Sequence, residues 1–169
     1  MALIFDPTTK TFKYFNGDGV RQSGMIKVGN QRYTFDPVTG NLKFDQAGEL
    51  QINGHWYYAN PNGTLVTGFK KIAGNRTVYY NPANAKMTHG EAHIGDHWYF
   101  FALNNGNMVK GFITLPDGRH VYYDNQGQMY HGEFNRNGHW YFYHLNNGAM
   151  ATGFTQLPDN RTAYYDGQG

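Results

Sequence analysis

The feature that most constrains this chain is an internal repeat. Gly54-His55-Trp56-Tyr57-Tyr58, Asp96-His97-Trp98-Tyr99-Phe100 and Gly138-His139-Trp140-Tyr141-Phe142 align without gaps, with successive Trp residues 42 positions apart. Each is followed by a Gly-Phe pair: Gly68-Phe69, Gly111-Phe112 and Gly153-Phe154. A second unit interleaves, at Arg76-Thr77-Val78-Tyr79-Tyr80, Arg119-His120-Val121-Tyr122-Tyr123 and Arg161-Thr162-Ala163-Tyr164-Tyr165. Arg32-Tyr33-Thr34-Phe35 is a weaker copy of it. A period of this length holding two sub-repeats of about 21 residues belongs to stacked arrays, in which one unit cannot bury its apolar face alone. The expected organisation is a single repeat module over 1–169, with degenerate copies in 1–51 and well-defined alternating copies in 52–169. The last copy reads as truncated, as in a piece of a longer array.

Each sub-repeat reads as a β-hairpin. The aromatic runs are β-prone and too short for a helix. Turn signals follow them at Asn60-Pro61-Asn62-Gly63, Asn104-Asn105-Gly106, Asn125-Gln126-Gly127 and Asn146-Asn147-Gly148. A short second strand is expected after each, such as Thr64 to Gly68 or Asn107 to Gly111. A linker with its own turn comes next, such as Leu115-Pro116-Asp117-Gly118. The fold class is therefore all-β, a solenoid of stacked hairpins alternating in pairs. A lone hairpin is marginal in water, so stacking has to supply the stability.

Composition says what fills the stack. Tyr (14), Phe (12) and Trp (3) make 17% of the chain while Leu, Ile and Val are scarce, so rings rather than aliphatic side chains form the spine. Strand alternation splits each Tyr pair, one ring inward and one outward. A net charge of +2 without a Lys/Arg cluster argues against a nucleic-acid surface. No apolar run is long enough to span a membrane, and Met1 to Lys10 has no leader-like pattern. With no Cys, disulfides and thiolate metal sites are excluded. His55, His97 and His139 occupy one repeat position, which accounts for them without a metal. Acids recur once per repeat at equivalent places, whereas a glycosidase needs two carboxylates facing one bond. The reading is a chain without catalytic residues, cofactor or metal, to which an enzyme domain of a longer parent could be joined.

The repeats resemble the choline-binding and cell-wall-binding repeats of Gram-positive surface proteins and phage lysins. They are also similar to the glucan-binding repeats of glucansucrases and the repeats of clostridial toxins. The resemblance is carried by His-Trp-Tyr-Tyr, a Gly-containing turn, and Gly-Ala-Met-Ala-Thr-Gly-Phe at 148–154. It covers nearly the whole chain and is strong from Gly54 to Gly169. It implies ligands held between consecutive hairpins, on the residue after Gly (Phe69, Phe112 and Phe154 in one unit type, Glu91 and Glu133 in the other) and on the first ring of the aromatic run (Trp56, Trp98 and Trp140). Tyr79 and Tyr122 are expected as partial walls.

A choline cage needs several ring faces around one cation, and no unit here carries a ring at both positions. A ring beside a carboxylate, Trp98 with Glu91 and Trp140 with Glu133, suits a pyranose instead: its apolar face on the indole, its hydroxyls donating to the carboxylate. The expected function is a non-catalytic module that holds a parent protein on a bacterial surface polysaccharide, outside the cell. The expected partner is a cell-wall polysaccharide, a teichoic acid or an α-glucan, with no nucleic acid and no membrane insertion. Dextran binding and choline binding are the named alternatives. The rival class is an adhesin spacer, which would bury its Trp rings completely where a binder leaves a face open.

Overall fold

The computed structural model describes residues 1–168. Apart from one short 3-10 turn at Ala73–Asn75, its regular structure is β throughout. The chain divides into two compact units, Met1–Thr88 and the part from His89 onward.

The first unit opens with two three-stranded sheets: β1 (Ala2–Asp6), β2 (Thr11–Phe15) and β3 (Arg21–Gln22), then β4 (Gly24–Val28), β5 (Gln31–Phe35) and β6 (Leu42–Lys43). Two-stranded hairpins follow, β7 (Gly48–Ile52) with β8 (His55–Ala59) and β9 (Gly68–Ile72) with β10 (Arg76–Tyr80). The second unit is four such hairpins: β11 (Gly90–Ile94) with β12 (His97–Phe101), β13 (Gly111–Thr114) with β14 (His120–Tyr123), β15 (Gly132–Arg136) with β16 (His139–Tyr143), and β17 (Gly153–Gln156) with β18 (Thr162–Tyr165). All pairings are antiparallel. Hairpins recur every 21 residues or so, as the repeat requires.

The phase of the hairpin differs from the sequence expectation. The Gly-led strand comes first and the aromatic run is the second strand, so Glu91 faces Phe100 and His93 faces Trp98 across one ladder. The tight turns lie just before the aromatic runs. Asn53-Gly54 and Asn137-Gly138 both have positive φ at the two central residues (50° and 78°, 53° and 85°). That is the backbone twist a two-residue hairpin loop needs, and Asn-Gly is the pair that adopts it most readily. The expected second strands Thr64–Gly68 and Asn107–Gly111 reduce to single bridges, Ala59 to Leu65 and Phe101 to Met108.

The same reduction at the equivalent linkers has a visible physical reason. Their amides leave the ladder for the preceding Trp strand: Met87 N–H donates to the Trp56 carbonyl and Met129 N–H to the Trp98 carbonyl, each at 2.8 Å. These bonds stitch one hairpin to the next.

Rings fill the interior as composition requires. In the first unit Phe12, Tyr14, Phe35, Leu42, Ile52 and Tyr57 form the main cluster, and Tyr57 meets Phe12 edge-on with centroids 5.2 Å apart. In the second unit Phe100, Val121, Tyr123 and Met129 form one cluster, and Phe142, Leu157 and Tyr165 another. The Tyr pairs split: Tyr80, Tyr123 and Tyr165 are buried while Tyr79, Tyr122 and Tyr164 stand outside them.

Candidate functional site

The three Trp rings stand out of the stack. Trp56, Trp98 and Trp140 are 40%, 42% and 57% exposed, although the next residue in two of these strands, Tyr57 and Tyr99, is buried. Alternation along β8 and β12 sends the Tyr inward and the Trp outward, while the Trp carbonyl is pinned by a Met amide. The ring is presented on a backbone that is held at that residue.

Two of these rings line clefts in the second unit. Trp98 shares a cleft of about 290 Å³ with Glu91, Arg119, Met129, Asn146 and Asn147. Trp140 shares one of about 380 Å³ with Glu133, Arg161, Tyr164 and Tyr165. The structure therefore brings together both ring–carboxylate pairs expected from the sequence. It also adds a partner that the sequence reading left out. Glu91 Oε2 accepts from the Arg119 guanidinium, and Glu133 Oε2 from that of Arg161 at 2.5 Å. The same pair recurs in the first unit, where Arg76 donates to Glu49 at 2.5 Å.

The carboxylates do not stand alone, as the sequence reading had them. Each clamps a guanidinium 27 or 28 residues further on. Arg119 also donates to Asp117 Oδ2 at 2.7 Å and to the Asn147 carbonyl at 2.5 Å, so its planar fork ties β11 to two turns. The recurrence of Arg76, Arg119 and Arg161 was the signal in the sequence; their role needed the long-range contact to be seen.

Behind the Glu91–Arg119 pair lies Tyr123, whose ring is fully buried and whose hydroxyl has no hydrogen-bond partner among the described residues. Burial, reinforced by the negative charge of Glu91, pushes its pKa above the ordinary value of 10.0. Tyr80 is buried and raised in the same way, with Glu49 as its charge neighbour.

The Phe positions form a second kind of site. Phe69–Tyr79, Phe112–Tyr122 and Phe154–Tyr164 are cross-strand ring pairs with centroids 4.9, 4.8 and 5.0 Å apart. Phe112 and Tyr122 are joined by Tyr141 (5.3 Å from Phe112) and Phe134 (4.6 Å from Tyr122). Phe112 and Tyr141 line a further cleft of about 440 Å³ with Thr114, His120 and Tyr143. The ring that meets Phe112 is Tyr141, one residue past Trp140. Trp98 and Trp140 thus line clefts separate from the one lined by Phe112. Among the described residues no cluster of His, Asp and Glu has the arrangement of a metal site.

The choline-binding repeat profile matches residues 66–112 and 109–154, more than half of the chain. The chain belongs to the choline-binding repeat family. A related cell wall binding repeat matches residues 50–65. Glucosyltransferase-S of Streptococcus mutans is 31% identical over 39% of this chain and 6% of its own length. Among solved structures, CbpJ of Streptococcus pneumoniae is 26% identical with a TM-score of 0.70, over 94% of this chain and 55% of that one. Choline binding protein F of Streptococcus pneumoniae, at 23% identity and TM-score 0.70 over 94% of this chain and 54% of its own, shares the fold. The chain thus spans about half the length of these structures and a small part of the glucosyltransferase. This family membership makes the stack an array of binding repeats.

Proposed function

We propose that this chain is a non-catalytic carbohydrate-binding module that holds a parent protein on a bacterial surface polysaccharide, with the clefts at Trp98 and Trp140 as its principal sites. The observation that carries this reading is the exposure of three Trp rings at equivalent positions, two of them beside a Glu–Arg pair. A spacer gains nothing by leaving indoles 40–57% open to water. An indole face offers a platform for the apolar face of a pyranose. Beside it, Glu91 has lone pairs left to accept sugar hydroxyls, and the Asn146 and Asn147 amides can donate to them. Charge-assisted contacts of this kind are the stronger hydrogen bonds. A quaternary ammonium fits these clefts less well, because the guanidinium already meets the carboxylate and would repel a second cation.

The test is co-sedimentation of the chain with Gram-positive cell walls, before and after removal of teichoic acids and wall polysaccharides, with insoluble dextran in parallel. Binding that vanishes on stripping supports wall targeting. Binding to dextran alone moves the module to α-glucans, in keeping with its likeness to a glucosyltransferase. Binding to neither supports the spacer. In a binder, Trp98→Ala weakens retention by about tenfold without loss of the cooperative melt, because stacked repeats make local contacts.

A further inference from the structure

The hairpin of β4 and β5 repeats the register of β7 and β8 rung for rung, but with different chemistry. In β7–β8 the pairs include Glu49 with Tyr58 and Gln51 with Trp56; in β4–β5 the same rungs are Met25 with Thr34 and Lys27 with Arg32. Met25 thus holds the place of the carboxylate, and Arg32 holds that of the indole. Alternation puts these residues on the side that faces water. Met25, Lys27, Arg32, Thr34 and Lys43 are exposed, whereas Ile26, Tyr33, Phe35 and Leu42 turn toward the core. Like charges directly opposite one another, as Lys27 and Arg32 are, destabilise a sheet. An anion beside them relieves that repulsion.

The backbone opens a cleft at this place. The β5–β6 ladder ends at Thr34–Lys43. One residue on, the Phe44 amide donates to the Pro61 carbonyl at 3.1 Å, so the chain leaves β5 where the next rungs would join Tyr33 to Phe44 and Arg32 to Asp45. The opening is about 450 Å³ and is lined by Arg32, Tyr33, Thr34, Lys43, Phe44 and Asp45. Arg32 makes no ion pair among the described residues. Lys43 gives one N–H to Asp36 Oδ2 at 2.9 Å and keeps its other donors. Asp45 is the one acid that lines the cleft. The wider setting has the same sign: the first unit carries ten Lys and Arg against five Asp and Glu, and the second four against seven. An acidic polymer is drawn to the unit that holds this cleft.

We propose that this cleft binds the oxyanion of an acidic glycan, a phosphodiester or a carboxylate, with Arg32 and Lys43 as its cations. This rests on the glycan-binding reading above and deepens it. The Arg32 fork donates to two oxyanion oxygens at once, Lys43 adds a point charge, and the Thr34 hydroxyl between them offers a neutral donor. Asp45 sets a limit on affinity by repelling the same anion. The degenerate copy in 1–51 has therefore not lost a site; it has exchanged a sugar-stacking one for a charge-reading one. The polymer that suits the whole chain carries acidic groups along a saccharide backbone.

The experiment uses the full chain, its Arg32→Gln, Asp45→Asn and Lys71→Gln variants, and three probes: poly(glycerol phosphate), oligogalacturonate and isomaltotetraose. Lys71 is exposed and lies outside the cleft, so its variant removes the same charge from the same unit. Affinity is read by calorimetry, and the Arg32 Nε–H resonance by NMR. At least one anionic probe should shift that resonance. Its affinity should fall about tenfold in Arg32→Gln, stay unchanged in Lys71→Gln and rise in Asp45→Asn. Response to the phosphate polymer alone names a phosphodiester, response to the uronate alone a carboxylate, and response to both the oxyanion they share. Equal binding of both anions by wild type and Arg32→Gln overturns the proposal. So does an equal loss in Lys71→Gln, which would mean diffuse charge and not a cleft, or an Asp45→Asn variant that binds no tighter. Isomaltotetraose reports separately through Trp fluorescence. If it fails to quench while the anion response persists, the Trp clefts are wrong and the Arg32 site stands; if it quenches while neither anion reaches Arg32, this proposal alone fails.

Discussion

Arg119 and Arg161 make the same two kinds of ion pair, each to an Asp two residues before and a Glu 28 residues before, from different degrees of burial, which makes them a pair for measuring what the clamp contributes. Arg119 is 23% exposed, its partner Glu91 26%, and it has a third acceptor in the Asn147 carbonyl; Arg161 is 58% exposed. Exposed ion pairs contribute little, while hydrogen bonds to charged groups shielded from water contribute more. Arg119→Ala should cost about 1–2 kcal/mol in chemical denaturation, whereas Arg161→Ala should leave the midpoint unchanged. Equal effects would mean that burial does not set the value of the clamp. The buried phenols give a pH prediction. Burial raises the pKa of Tyr80, Tyr123 and Tyr143 above 10.0, so the fold favours their neutral forms. That contribution is intact below pH 10.0, the ordinary value, and is lost as pH rises further, because the unfolded chain gives up these protons first. A phenolate titration should show the exposed tyrosines ionising before any unfolding and these three only with it. At this scale the sequence expects Trp98 near Glu91 and Trp140 near Glu133 across consecutive hairpins; in the structure each pair lines one cleft and belongs to a single hairpin. It missed the arginines, because a contact 28 residues away follows from how hairpins stack and not from local spacing.

At the scale of the hairpin, turn glycines divide into those that only bend the chain and those that also receive a neighbour. Gly118 has φ +89° with open space where a side-chain methyl would sit, while Gly63 has φ +82° and would drive that methyl into the Leu42 carbonyl. Gly118→Ala should therefore cost about 1 kcal/mol, the strain of a left-handed residue alone. Gly63→Ala should cost more than about 2 kcal/mol, since backbone cannot move aside as a side chain can. Comparable melts for the two would sink this account of close approach. The all-β class, the 21-residue rhythm and the division of each Tyr pair were legible, because ring periodicity and turn residues are local signals. The hairpin phase was not. Two kinds of turn alternate along the chain, and the sequence reading took Asn60–Gly63 and its equivalents for the hairpin loops. Asn53-Gly54 and Asn137-Gly138 carried the correct signal one strand earlier: there both residues take the paired positive φ of a two-residue loop.

At the scale of the array, sites on one unit act on a polymer together. Trp98 and Trp140 recur 42 residues apart within the second unit. The double variant Trp98→Ala/Trp140→Ala should reduce polymer retention by far more than the product of its effects on a short oligosaccharide, as linked sites gain about 10²–10⁴-fold through effective concentration. Calorimetry with the oligosaccharide should meanwhile show one site lost per Trp removed. Both units also bury methionines. Met87, Met108 and Met129 are only 7–9% exposed, and a methyl placed on Gly127 would lie 2.6 Å from the sulfur of Met108, as one on Gly148 would crowd that of Met129. The thioethers of Met108 and Met129 are thus seated in the notch left by the next turn's missing side chain. Peroxide would add an oxygen where there is no room for one and make an apolar side chain polar. In an oxidant-rich setting the array would come apart at its seams, starting from the methionine beside the Trp98 cleft.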